Sequence, residues 1–286
     1  MSFIRFENLS FAYPPLEGDL DSEGKQIIPP PVFENASFEL PSGWTSLIGP
    51  NGSGKSTFML LASGRLKPLS GKAFLFDKDT SLYSEEELQN TASFVYQNME
   101  FENTEKVSDL LSFVYHQGLF KGKTESVRKY EGEKDFFEEC LEVFELFPLF
   151  EKEMKNLSKG EMQRVIASFS ILYGSPSVFM DEPFFAMEEK QKEKALSYLK
   201  DYSEKKGISI FVSMHDIDLS RKYSDTVLLF GKDRTISYGK AEKLLSDESL
   251  EKAYGIPASM LKMGEKLTRE ELERRDEEYK KIMNQK

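Results

Sequence analysis

An α/β fold around a parallel sheet follows from three features of the 286-residue sequence. Trp44–Ile48 is a short apolar run that enters a Gly-rich turn and then helical spacing from about 54 to 63, a strand–loop–helix unit. Residues 178–180, 208–212 and 226–230 are buried-strand runs that alternate with helical segments near 188–206 and 216–223, as strands covered on both faces do. Residues 104–118, 133–147 and 158–173 have helical spacing, so the middle third is expected to be mainly helical.

The remaining elements are placed in chain order. Residues 3–13 and 33–40 read as extended. Between them, residues 14–31 hold five prolines and two glycines, which exclude a helix or a central strand and predict a surface insertion. Residues 71–76 and 92–96 are strand-like. The tail from 268 to 286 opens with a capping box, Thr268 and Glu271, and is then charged nearly all round, which predicts a solvated terminal helix. No internal repeat is found.

Composition narrows the functional classes. With 39% hydrophobic and 30% charged residues, the chain is long enough for a substantial core, which excludes general disorder. Its 49 acidic against 38 basic residues leave a formal charge of −11, which argues against a general nucleic-acid binder, and no nucleic-acid partner is expected. A single cysteine, Cys140, points to a reducing compartment. The first residues lack a basic start and an apolar run, and no segment reaches the ~18 uninterrupted apolar residues of a membrane helix. A cytoplasmic location is therefore expected, with any membrane connection made through a partner.

Two motifs carry chemistry. Gly49-Pro50-Asn51-Gly52-Ser53-Gly54-Lys55-Ser56-Thr57 fits the phosphate-loop pattern G-x-x-x-x-G-K-[ST] between a strand and a helix. Its glycines let backbone N–H groups converge on an anion, the helix N-terminus adds its dipole, Lys55 suits the β- and γ-phosphates, and the Ser56 hydroxyl suits Mg²⁺. Residues 178–183 form a buried strand ending in Asp181 and Glu182, with Asp181 the candidate Mg²⁺ support and Glu182 the candidate base that polarises water.

Between these motifs stand Leu157-Ser158-Lys159-Gly160-Glu161, Gln163 and Arg164, and on them the chain resembles the ATP-binding-cassette (ABC) ATPases over residues 3–240. Alone, Leu-Ser-x-Gly-Glu is also a helix N-cap. The resemblance implies a P-loop NTPase core with an antiparallel β subdomain and an inserted helical subdomain at about 84–165. It also implies a cassette over 1–240; the chain beyond it lies outside the shared pattern and is expected to form a C-terminal helical extension over 241–286. It implies that Ser158 and Gly160 face the γ-phosphate held by an opposing subunit, and that Gln97 bridges the Mg²⁺ and water site to the transport partner. His215, 33 residues after Glu182, would be the switch histidine near the γ-phosphate. Tyr13 matches the aromatic that stacks on adenine, with a core role for Phe11 or Tyr13 as the alternative.

Several positions depart from the family pattern. Lys159 stands where Gly is common and Glu161 where Gln is common. After Glu182-Pro183 the chain continues Phe184-Phe185-Ala186-Met187-Glu188 rather than Thr-Ser-Ala-Leu-Asp. The implied function is the ATPase subunit of a transporter, using ATP and Mg²⁺, pairing with a second copy or a homologous ATPase subunit, and docking on integral membrane permease subunits at the inner face of the cytoplasmic membrane. The alternative is a soluble ABC ATPase of the iron–sulfur assembly or repair type.

Overall fold

The computed structural model describes residues 3–18, 20–97, 99, 101–102, 104–119 and 136–261. The expected helix at 268–286 and the start of the one at 133–147 lie outside the described residues.

Two sheets form the frame. A four-stranded sheet in the order β2-β1-β4-β5 is antiparallel and joins β1 (Ile4–Phe11), β2 (Phe33–Leu40), β4 (Ser70–Leu75) and β5 (Lys78–Asp79). The six-stranded sheet runs β10-β9-β3-β8-β7-β6. Its members are β3 (Trp44–Ile48), β6 (Ala92–Val95), β7 (Ser177–Asp181), β8 (Ser209–Ser213), β9 (Thr226–Phe230) and β10 (Ile236–Gly239). All its neighbours are parallel except β10, which pairs antiparallel with β9 at the edge.

Alternation along the buried strands sorts their side chains between two cores, because successive residues point to opposite faces. Phe179 of β7 and Phe211 of β8 stack at 4.9 Å and join Phe6, Phe58 and Phe230 in the core beneath the antiparallel sheet. Val178, Met180, Ile210 and Val212 face the other way, into the core shared with the helices. Burying each such side chain contributes ~1.5–3 kcal/mol, which explains why these strands are apolar on both faces.

Helices α1 (Lys55–Ala62) and α2 (Glu85–Thr91) are short. The second core carries α3 (Val107–Gln117), α4 (Phe136–Val143), α5 (Lys159–Leu172) and α6 (Glu189–Lys206). Beyond α7 (Ile217–Tyr223), α8 (Ala241–Leu244) and α9 (Asp247–Tyr254) close a third cluster around Ile48, Val227 and Leu229. Residues 14–31 run over the surface, with Leu16, Leu20, Ile27 and Ile28 exposed. Among the described residues, no helix is long and apolar enough to cross a membrane.

Because β3, β6, β7 and β8 are parallel, their carboxyl ends lie along one edge of the sheet. Gly49, Tyr96 and Gln97, Glu182, and Met214 and His215 follow directly from those four ends. Ligands of α/β sheets bind at this edge.

Candidate active site

The loop after β3 folds as it does because its glycines allow it. Gly49 adopts φ +153°, and a Cβ there would fall 2.5 Å from the Phe230 carbonyl oxygen. Gly54, at φ +106°, precedes α1, and a Cβ on it would meet Val32 at 2.9 Å. Ser53 N–H donates to the Pro50 carbonyl at 3.3 Å, closing the turn. Lys55 is buried, and its ammonium donates to the carbonyls of Gly49 at 2.8 Å and Pro50 at 3.1 Å. Burial lowers its pKa from the ordinary lysine value, and the carboxylates of Glu182 and Asp181 work against that shift.

Asn51, Gly52 and Ser56 are exposed at the mouth of the loop, while Thr57 is buried and shares a 3.1 Å hydrogen bond with the Tyr13 hydroxyl. Among the described residues, the buried Ser53 hydroxyl has no hydrogen-bond partner. A close-walled turn of backbone N–H groups, an orphan hydroxyl and a lysine suit a phosphate group.

Across the edge, the acids are locked by tertiary contacts. Glu182 Oε2 accepts from Gln97 Nε2 at 2.7 Å, and Oε1 lies 2.7 Å from His215 Nε2. The Glu182 backbone has φ +49°, uncommon for a residue with a side chain, and its N–H donates to the Ser213 hydroxyl at 2.9 Å. That hydroxyl donates in turn to Asp181 Oδ1 at 2.5 Å. Burial disfavours the Glu182 carboxylate, but His215, Lys55 and Gln97 outweigh it and hold the pKa below the usual range. Among the described residues, no three His, Cys, Asp or Glu side chains gather to form a metal site. One carboxylate, Asp181, and one hydroxyl, Ser56, form a donor set that suits Mg²⁺, which fills out its shell with water and phosphate oxygens.

The Leu157-Ser158-Lys159-Gly160-Glu161 segment opens α5. Ser158 is its N-cap: the hydroxyl accepts from Glu161 N–H at 3.3 Å, and Glu161 Oε2 accepts from Ser158 N–H at 2.8 Å. Gly160 lies against the segment that follows Glu182, where a Cβ would stand 2.6 Å from the Ala186 carbonyl oxygen. Gln163 Oε1 accepts from Ala186 N–H at 2.8 Å.

The structure thus gathers Lys55, Gln97, Asp181, Glu182 and His215 at one edge, sets Tyr13 beside the phosphate loop through Thr57, and places Ser158 and Gly160 at the start of α5, with Gly160 against the segment that follows Glu182. Tyr13 is 42% exposed, with its ring edge-on to Phe11 at 5.1 Å, so the pair divides between surface and core. Sequence reasoning missed Ser213, which ties Asp181 to the Glu182 backbone, and named Gln163 only as part of the signature segment, without its bond that ties α5 to Ala186. The signal for Ser213 was a small hydroxyl residue closing an apolar strand two positions before His215.

The sequence model described as ABC transporter matches residues 33–185, more than half of the chain. The petrobactin import ATP-binding protein YclP of Bacillus subtilis is 28% identical over 229 residues, covering 79% of this chain and 87% of that one. A longer Bacillus subtilis chain named for HMP/thiamine import is 29% identical over 249 residues, and the match spans 87% of this chain but only 41% of the other. The solved structure of a dimeric ATP-binding cassette with ADP and Pi bound superposes with a TM-score of 0.64 at 23% identity, over 83% of this chain and 98% of that one, which shows the shared fold. The chain belongs to the ABC transporter family, as one of its ATP-binding, ATP-hydrolysing subunits.

Proposed function

We propose that two such cassettes close head to tail around two ATP molecules, and that the resulting hydrolysis drives transport through separate integral membrane subunits. The observation that carries the catalytic part is Glu182, whose two carboxylate oxygens are held by Gln97 and His215 beside the phosphate loop. In this reading, Lys55 leaves its loop carbonyls for the β- and γ-phosphates, and Tyr13 offers its exposed ring to adenine. Gly49, Pro50, Asn51, Gly52, Ser53, Gly54, Ser56 and Thr57 surround the phosphates. Glu182 orients the attacking water, and His215 lies where it meets the γ-phosphate. Ser56, Gln97 and Asp181 would hold Mg²⁺, which neutralises charge developing on the phosphoryl oxygens. Ser158 and Gly160 present the positive end of α5 to the nucleotide of the opposing subunit.

A cleft of about 540 Å³ opens beside Gln97, walled in part by Val95, Phe101, Leu157, Met162 and Ile166. A groove that combines these apolar walls with Glu102, Lys155 and Lys159, next to the residue that touches Glu182, suits a membrane subunit whose movement must reach the catalytic carboxylate, and would hold the protein at the inner face of the membrane. The relatives named for petrobactin, hemin and phosphonate import match at 25–28% identity, so similar cassettes serve unlike cargo. We assign cargo choice to the membrane and capture subunits.

The test is Glu182→Gln, which keeps shape and most hydrogen bonding but removes the charge that orients water. ATP binding should persist, hydrolysis should fall by orders of magnitude, and an ATP-dependent dimer should appear by size-exclusion chromatography with light scattering. Normal turnover in this variant would place the base elsewhere.

A further inference from the structure

The insertion at 14–31 leaves the antiparallel sheet and returns to it beside the phosphate loop. Tyr13, the residue before it, bonds Thr57 at 3.1 Å. Val32, the residue after it, lies against Gly54, where a Cβ would stand 2.9 Å from it, and its N–H donates to the Phe11 carbonyl at 2.8 Å. Arg234, in the turn between β9 and β10, donates to the Pro31 carbonyl. Both ends of the insertion are therefore pinned at the nucleotide site, and what lies between them is a strap.

Four apolar side chains of this strap face water: Leu16 is 69% exposed, Leu20 56%, Ile27 43% and Ile28 78%. Single exposed residues of this kind are ordinary, but four in one surface loop mark a binding surface. An antiparallel bridge between Leu20 and Gln26 sets the two arms side by side. Asp21 closes the turn between them, its carboxylate accepting from the N–H groups of Glu23 and Lys25 at 2.9 Å each. Pro14 and Pro15 stiffen one arm and Pro29, Pro30 and Pro31 the other, because each ring fixes φ. A strap already stiff at both ends loses little backbone entropy when it settles on a ligand.

Charge selects the ligand. The sequence from 14 to 31 holds four acids and one lysine, so the strap is repelled by a triphosphate and by an anionic membrane surface. A neutral, flat group suits its apolar side chains. In the reading above, Tyr13 offers its ring, 42% exposed, to one face of adenine, which leaves the second face bare. The centre of a base stacked on that ring stands about 4.5–7 Å from it. Leu16 is three residues from Tyr13, and three residues extend to about 10 Å, enough to pass the base. Ile28 is four residues from Val32, a reach of about 13 Å from the other anchor. We propose that Leu16 and Ile28 close on the face of adenine turned away from Tyr13, which makes the insertion the second wall of the base site. This inference rests on the assignment of Tyr13 to adenine and adds to it the residues that take the opposite face.

The experiment titrates the full chain with Mg-ADP by calorimetry and with inorganic pyrophosphate by competition, two probes that share a diphosphate and differ in the nucleoside. The parent is compared with Leu16→Ser combined with Ile28→Ser, with Leu16→Met combined with Ile28→Leu, and with Tyr13→Ala. Thermal stability is measured on the same samples.

The double serine variant should bind ADP about tenfold more weakly, as expected when two apolar side chains lose their contact area, and the heat-capacity change of ADP binding should become less negative. Pyrophosphate affinity and Tm should stay unchanged, and the Met and Leu pair should bind ADP as the parent does. ADP affinity unchanged in the double serine variant but lowered in Tyr13→Ala overturns the strap assignment and leaves the Tyr13 reading intact. An equal loss for pyrophosphate overturns it too, because the insertion would then act on the phosphate loop. So does a loss that follows a fall in Tm and is shared by the Met and Leu pair. Unchanged ADP affinity with a weaker ATP-dependent dimer in the Glu182→Gln background would give the apolar residues to the subunit interface instead. Tyr13→Ala without effect on ADP overturns the Tyr13 reading itself, and the assignment of the opposite face with it.

Discussion

Glu182 and Ser158 both sit at the end of a regular element and both are assigned to ATP, yet they are held in different ways. The Glu182 side chain is 11% exposed, and its oxygens bond residues 85 and 33 positions away in the chain. Ser158 is exposed, and its cap bonds reach only Glu161, three residues on. Folding alone therefore completes the sheet edge, whereas the first turn of α5 is satisfied locally and presents an open face. A residue whose own hydrogen bonds are all local leaves its outward face open, and the proposed opposing subunit would give that face a partner.

The sharpest way to break the comparison is to disable the completed half. Lys55→Ala removes the phosphate loop's only lysine, together with its bonds to the Gly49 and Pro50 carbonyls. Hydrolysis should be abolished and monomer ATP affinity weakened, because no other side-chain cation of the loop meets the γ-phosphate. Turnover measured by phosphate release and nucleotide affinity by equilibrium binding check both, and unchanged turnover would reject the phosphate-loop assignment.

Ser158 separates the two roles of the open half. Ser158→Arg should block dimer closure and turnover while monomer ATP affinity stays near that of the parent. Ser158→Ala removes the cap acceptor and should cost about 0.5–2 kcal/mol in stability. If capping were the whole role, both variants would lose stability and keep normal activity per folded molecule. Denaturant midpoints and turnover measured on the same preparations decide between these outcomes.

The same contrast explains what was legible in the sequence. Trp44–Ile48, Ser177–Asp181 and Thr226–Phe230 showed themselves because every position is buried, so large apolar residues fall on both faces rather than on alternate positions. Helix Glu85–Thr91 was not legible: it has no buried residue, so it leaves no apolar period, although its Ser84 and Glu87 capping box was there to be read. Strand Ile236–Gly239 was missed for a related reason, as an edge strand with two exposed positions out of four. In the site, residue types showed which side chains carry chemistry, but the pairings of Ser213 with Asp181 and of Lys159 with Phe185 join segments far apart in sequence, and no local pattern encodes them.

The smallest expected effect tests the electrostatics of the completed half. The folded chain holds the Glu182 carboxyl below the usual range, whereas the unfolded chain has an ordinary glutamate of pKa about 4.3. A depressed native pKa means that the native state binds fewer protons there than the unfolded state. The stability this contributes is fully present above the ordinary value and is lost as the pH falls through the lowered one. Glu182→Gln has no such titration, while every other carboxylate titrates in both chains and largely cancels from the difference. The Tm of the parent should therefore fall relative to that of Glu182→Gln between about pH 5 and pH 3, with the gap flat just above that window. A gap that stays flat throughout would show that His215, Lys55 and Gln97 do not hold the charged carboxylate, and the sheet edge would then be no better completed by folding than the first turn of α5.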